Sequence, residues 1–106
     1  MVRRPEQANE SIAHLAAQFL ARESNHESLI TVTRSEMSPN YKNVTVFLSI
    51  LPIEQSEKAL AFAKRLRSDF RQYLKQKTAL HPIPTVDFEI DFGELNRQRV
   101  DELTRK

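Results

Sequence analysis

A chain of 106 residues, 40% hydrophobic and 28% charged, has room for one globular domain around one modest core. It has no cysteine, which excludes disulfides, thiolate metal sites and cysteine nucleophiles, and a single glycine, Gly93, which excludes a phosphate-cradling P-loop and the dinucleotide fingerprint. The net charge is only +2, so the distribution of charge matters more than its sum; no apolar run nears the roughly 20 residues of a membrane span, and MVRRPEQANE lacks a signal core, so a cytoplasmic protein is expected.

Residues 1–8 are polar and are expected to form a flexible N-terminus. Ile12, Leu15, Ala16, Phe19 and Leu20 then recur at helical spacing, which predicts a helix from Asn9 to Arg22 capped by Asn9 or Ser11. A polar connection follows, in which His26 has no second ligand at metal spacing. Leu29 to Met37 is β-branched and alternating, and so is Asn43 to Leu51, with Val44, Val46, Leu48 and Ile50 on one face. The turn-rich Ser38–Lys42 between them predicts an antiparallel hairpin. Phe47 lies on the more polar face and reads as packing rather than as a base-stacking platform. Pro52 ends the second strand.

Glu54 to His81 is a long helical element with two stripes. Ala59, Ala63, Leu66, Phe70, Tyr73 and Leu74 form an apolar seam, and Lys64, Arg67, Arg71 and Lys75 form a cationic row about one turn apart beside it. From Lys64 to Lys77 there are six basic residues against one acid, whereas an ordinary solvated helix interleaves the signs. The element is long for so small a domain, and Ser68-Asp69, which compete with helical hydrogen bonding, are the predicted break. Pro84 to Asp91 reads as a third strand, with Val86, Phe88 and Ile90 inward and Asp87, Glu89 and Asp91 outward to water. Residues 93–106 form a basic tail with the apolar spacing of a helical turn or two at Leu95, Val100 and Leu103.

This pattern predicts a single α+β domain over residues 9–92, in the order α-β-β-α-(kink)-α-β, with a three-stranded sheet covered by helices on one face. That order is found in the type II K-homology (KH) fold. Three stretches carry a closer resemblance: Ile30 to Thr33 leading into Ser38 to Ser49, Ala59 to Leu74, and Leu80 to Phe88. With Arg99-Val100-Asp101-Glu102-Leu103 of the tail, they make the chain similar to the bacterial ribosome-binding factor A family. Two places depart from the family pattern: Asn25-His26-Glu27 stands where an aspartate-proline-arginine triplet is usual, and Leu66-Arg67-Ser68 where the family has an alanine-any-glycine kink.

The resemblance implies a monomeric ribosome assembly factor that binds the immature small subunit through its ribosomal RNA. It implies assistance in late maturation and pre-rRNA processing, a part in cold adaptation, and no membrane partner. The expected RNA-binding residues are Lys64, Arg65, Arg67, Ser68, Arg71, Lys75, Lys77 and His81, with Arg97 and Arg99 of the tail as secondary contacts. The acidic face of the third strand is expected to stay bare on the opposite surface. Without a glycine loop, the usual KH grip on four single-stranded nucleotides is unavailable, so backbone and shape recognition is expected. No catalytic group, metal site or cofactor is expected: the histidines are scattered, and carboxylates spaced by two read as a solubilising strand face rather than a hydrolase site. The competing reading is a protein-interaction module whose basic helix face holds an acidic partner.

Overall fold

Both strands of the expected hairpin form with the expected limits, β1 at Leu29–Met37 and β2 at Asn43–Leu51. The computed structural model describes residues 5–24 and 27–93; the expected basic tail beyond Gly93 lies outside them. β1 and β2 pair antiparallel, Leu29 opposite Leu51 and Met37 opposite Val44, with a register shift between Val32 and Arg34. That bulge decides the faces of β1. Strict alternation would put Val32 and Ser35 on opposite sides. With Thr33 as the extra residue, Ile30, Val32, Ser35 and Met37 all oppose the buried row Ile50, Leu48, Val46 and Val44. Ser35 is a polar intruder on this face, and its hydroxyl donates to the Asn9 carbonyl at 2.6 Å.

The third strand, β3 at Thr85–Ile90, pairs parallel to β2, with Val44 opposite Val86 and Val46 opposite Phe88. Parallel neighbours need a crossover, and the helical element supplies it as α2 (Ser56–Arg65) and α3 (Arg67–Lys77). A straight helix from Ser56 to Lys77 would run about 33 Å, against about 20 Å for the six residues of β3. Two shorter helices lay their apolar seam on the sheet where one rod would overshoot it.

The break falls at Leu66 and not at Ser68-Asp69. Leu66 adopts φ −95°, ψ 8°, its N–H donates to the Ala63 carbonyl at 2.9 Å, and its own carbonyl accepts the Phe70 N–H at 2.8 Å. The Arg67 Nε then donates to the Lys64 carbonyl at 2.9 Å, satisfying an acceptor that the interruption leaves exposed. Since φ is negative, an ordinary L-residue makes this kink and glycine is not required. Ser68 and Asp69 occupy the first turn of α3, where short polar and acidic residues are also favoured; the same propensity marks the start of the second helix rather than the hinge.

The first helix, α1, spans Pro5–Glu23 and so begins four residues before the expected Asn9. Proline is favoured at a first helical position. Asn9 and Ser11 consequently sit inside the helix and cap nothing. α1 packs on β1, and α2 and α3 pack on β3, all on one face of the sheet. Among the described residues no helix is long and apolar enough to cross a membrane.

The core is aromatic at its centre. Phe70 is fully buried, with ring centroids 5.3 Å from Phe19 and 5.9 Å from Phe88, so one side chain joins α3 to α1 and to β3. Phe70→Ala is expected to cost roughly 3–5 kcal/mol in urea denaturation; a loss under about 1 kcal/mol would remove Phe70 from that central position.

Candidate nucleic-acid interface

The cationic row survives the break in sequence order but divides into two halves with different partners. Lys64 and Arg67 flank the break. The Thr85 N–H donates to the Lys42 carbonyl just before β2 and the Asp91 N–H to the Leu48 carbonyl of β2, so the two-residue alternation turns the Phe88 N–H to the outer edge of β3. There it donates to Asp87 Oδ1 at 2.9 Å. The same oxygen accepts Lys64 Nζ at 2.9 Å and Arg67 Nη1 at 3.2 Å, and Lys64 also reaches Glu89 Oε1 at 3.5 Å.

The acidic strand face is therefore not a bare surface opposite the cations. β3 is an edge strand with α2 and α3 packed beside it, so long cationic side chains bend round the edge to its carboxylates. Asp91, expected on that face, is 8% exposed; Thr33 donates its hydroxyl to Asp91 Oδ2 at 2.6 Å, and Arg34 Nε lies 3.6 Å from the same oxygen. Phe47 is covered as well, the Arg34 guanidinium standing 3.9 Å from its ring centroid.

The second half of the row is different. Arg71 donates to two neutral acceptors, the Pro84 carbonyl at 3.3 Å and the Ile83 carbonyl at 3.0 Å. Its guanidinium is held in place by groups that carry no charge to offset its own. Lys75 and His81 are exposed beside it, and with Gln72, Pro82 and Ile83 they line a cleft of about 230 Å³. Among the described residues no carboxylate lies within ion-pair distance of Arg71 or Lys75.

The remaining expected residues scatter. Arg65 lies one position round the helix, on the side of α2 that carries Lys58 and Phe62 near Glu27. Lys77 Nζ is 5.7 Å from the Tyr73 ring, which also stacks under Arg22 of α1. Ser68 is exposed in the first turn of α3, beside Arg67 in sequence. Arg97 and Arg99 lie outside the described residues. The sequence reading missed Tyr41 and Lys42, treated only as turn residues. Both are exposed in the β1–β2 turn and line a groove together with His81 and Pro82. The available signal was a tyrosine and a lysine adjacent in a turn that calls only for small polar residues.

Titration follows from this geometry. For Lys64, the hydrogen bond to Asp87 raises the pKa above 10.5, burial opposes it, and the charges of Asp87 and Glu89 add to the rise. For Asp87, burial disfavours the charged form but is outweighed by the Lys64 and Phe88 hydrogen bonds and by the charges of Lys64 and Arg67, leaving the carboxyl below 3.8. A lowered carboxyl pKa stabilises the fold above the unfolded value, and that stabilisation is lost as pH falls through the folded one. Lys64 contributes below 10.5 and loses its contribution as pH rises through the higher folded value. Asp87→Asn is expected to cost about 0.5–1 kcal/mol near neutral pH, since the groups are partly exposed. In urea titrations the gap between wild type and variant should close as pH drops below 3.8; a gap constant with pH would mean that the ion pairs contribute nothing.

The comparisons with known proteins agree with this architecture. The family model described as Ribosome-binding factor A matches residues 4–104. A ribosome-binding factor A from Gemmatimonas aurantiaca is 28% identical over 109 residues, covering 99% of this chain and 75% of the relative. One from Bradyrhizobium sp. (strain ORS 278) is 26% identical over 101 residues, covering 91% and 73%. The crystal structure of ribosome-binding factor A from Thermus thermophilus superposes with a TM-score of 0.73 at 18% identity, over 83% of this chain and 97% of that one; the KH-like fold is shared. With a family match running almost from end to end, over the hairpin, the kinked helix pair and the parallel third strand alike, the chain belongs to the ribosome-binding factor A family.

Proposed function

We propose that this chain binds the ribosome as its relatives' names state, and that it does so on the immature small subunit, through ribosomal RNA, without chemistry of its own. The observation that carries the RNA reading is the cleft of Arg71, Lys75 and His81, whose fixed positive charge has no carboxylate partner among the described residues. Folded RNA presents closely spaced phosphates, and affinity for it comes largely from Lys and Arg displacing condensed counterions. Residues one turn apart on α3 stand about 5–6 Å apart, close to phosphate spacing along a strand. The lack of a glycine loop favours backbone and shape over base sequence. The same reading extends to late maturation and pre-rRNA processing, to growth in the cold, and to a monomer acting in the cytoplasm.

Lys64 and Arg67 have a graded part in this reading. Asp87 and Glu89 compete with phosphate for them, so they engage RNA only when the carboxylates let go.

Three binding measurements test the proposal. With four to six cations engaged, the logarithmic salt slope for binding to small-subunit particles should be about −3 to −5. Arg71→Glu with Lys75→Glu should flatten it by about 2 and weaken binding roughly tenfold or more, with circular dichroism unchanged. Asp87→Asn with Glu89→Gln should instead tighten RNA binding several-fold at low salt by releasing Lys64 and Arg67. Binding must also persist once ribosomal proteins are stripped from the particles; binding that needs one acidic protein would replace the RNA reading with the interaction-module reading.

A further inference from the structure

We infer that the groove between the 38–43 turn and the 80–84 loop receives one unpaired nucleotide, its base against the Tyr41 ring and its phosphates toward Lys42 and Lys75. The inference rests on the RNA reading above and adds a second subsite to it. The groove has a volume of about 520 Å³, within the range of small-ligand sites. Met37, Leu80, Pro82 and Pro84 make its walls apolar, while Asn40, Lys42 and His81 supply polar groups. His81 and Pro82 also line the basic cleft of Arg71 and Lys75, so the two depressions adjoin at these residues.

Tyr41 is the unusual residue. It has φ 60°, a left-handed conformation that a bulky side chain rarely adopts, and it is 49% exposed. A dense set of turn hydrogen bonds imposes this conformation. Ser38 N–H donates to the Asn43 carbonyl at 2.8 Å, Tyr41 N–H to the Ser38 carbonyl at 2.9 Å, and Lys42 N–H to Asn40 Oδ1 at 3.0 Å. Asn43 N–H donates to Ser38 Oγ at 3.1 Å. The backbone that carries the ring beside the apolar groove is thus set before any ligand arrives, and little loop entropy is lost when one stacks there.

The occupant follows from the mixture of chemistries. An apolar peptide would satisfy the walls and leave Lys42, Lys75 and Arg71 without counter-charge. A nucleotide has a flat ring for Tyr41 and an anionic backbone for the cations. Bases in a duplex show their faces only to one another, so the groove selects an unpaired one.

The test uses the full-length chain, labelled with ¹⁵N, titrated separately with a single-stranded adenosine pentanucleotide and with a short perfect RNA duplex. The pentamer should shift the amides of Tyr41, Lys42 and His81. Tyr41→Asn removes the ring but tolerates positive φ, so the turn persists; it should weaken pentamer binding roughly tenfold and leave duplex affinity within about twofold. Tyr41→Phe should bind the pentamer like wild type. Pentamer binding that leaves those amides unmoved, or equal weakening of pentamer and duplex by Tyr41→Asn, overturns the groove assignment while the RNA reading stands on the duplex. If neither RNA binds, both fail.

Discussion

One carboxylate oxygen, Asp87 Oδ1, accepts from the edge N–H of Phe88, from Lys64 and from Arg67, and so ties β3 to the last turn of α2 and the first residue of α3. Its position explains several otherwise separate features. The exposed edge of a parallel strand is a pairing hazard, and here two cations cover it. The helix break lies beside the same strand, and Arg67 serves both, its Nε on the Lys64 carbonyl and its Nη1 on Asp87. The kink is therefore fixed by a side chain on each side rather than by the backbone freedom of a glycine.

This arrangement sets the electrostatics of the face. Ion pairs at half-exposed positions contribute little to stability, on the order of 1 kcal/mol or less, but they govern what a charge is available to do. Lys64 and Arg67 already have anionic partners, whereas Arg71 is held by two carbonyls that orient its guanidinium without neutralising it. A phosphate approaching the row thus meets fixed positive charge at Arg71 and Lys75 and a competitive exchange at Lys64 and Arg67. On the proposed RNA reading, an affinity distributed this way would be moderate and salt-sensitive.

Much of the fold was legible because each strand carries its own pattern. Val44, Val46, Leu48 and Ile50 alternate without interruption, and β2 has the limits that alternation assigns. The bulge at Thr33 was not legible, since it depends on the partner register and on the buried Ser35–Asn9 hydrogen bond. The hinge was displaced by two residues because propensity marks where a helix starts, while Leu66 is fixed by Arg67 and by the length of sheet to be covered. Helical spacing paired Lys64 with Arg67 and Arg71 with Lys75, the pairs that share the Asp87 oxygen and the cleft. It could not give their partners. Whether a carboxylate on β3 is bare or clasped depends on which strand forms the edge and on the parallel pairing, neither of which alternation encodes. Tyr41 escaped for a related reason: a left-handed tyrosine is a property of the closed turn, not of its composition.

On the proposed reading, the two depressions on this end of the molecule take different parts of a nucleic acid. The Arg71–Lys75 cleft offers charge and hydrogen-bond donors, which phosphate satisfies in any sequence. The Tyr41 groove offers a ring face and apolar walls, which every base satisfies but only when unstacked. Neither reads a base edge, and with Gly93 the lone glycine of the chain, no glycine loop brings backbone close enough to do so. Selectivity would then arise from the geometry of an unpaired residue next to a folded phosphate backbone.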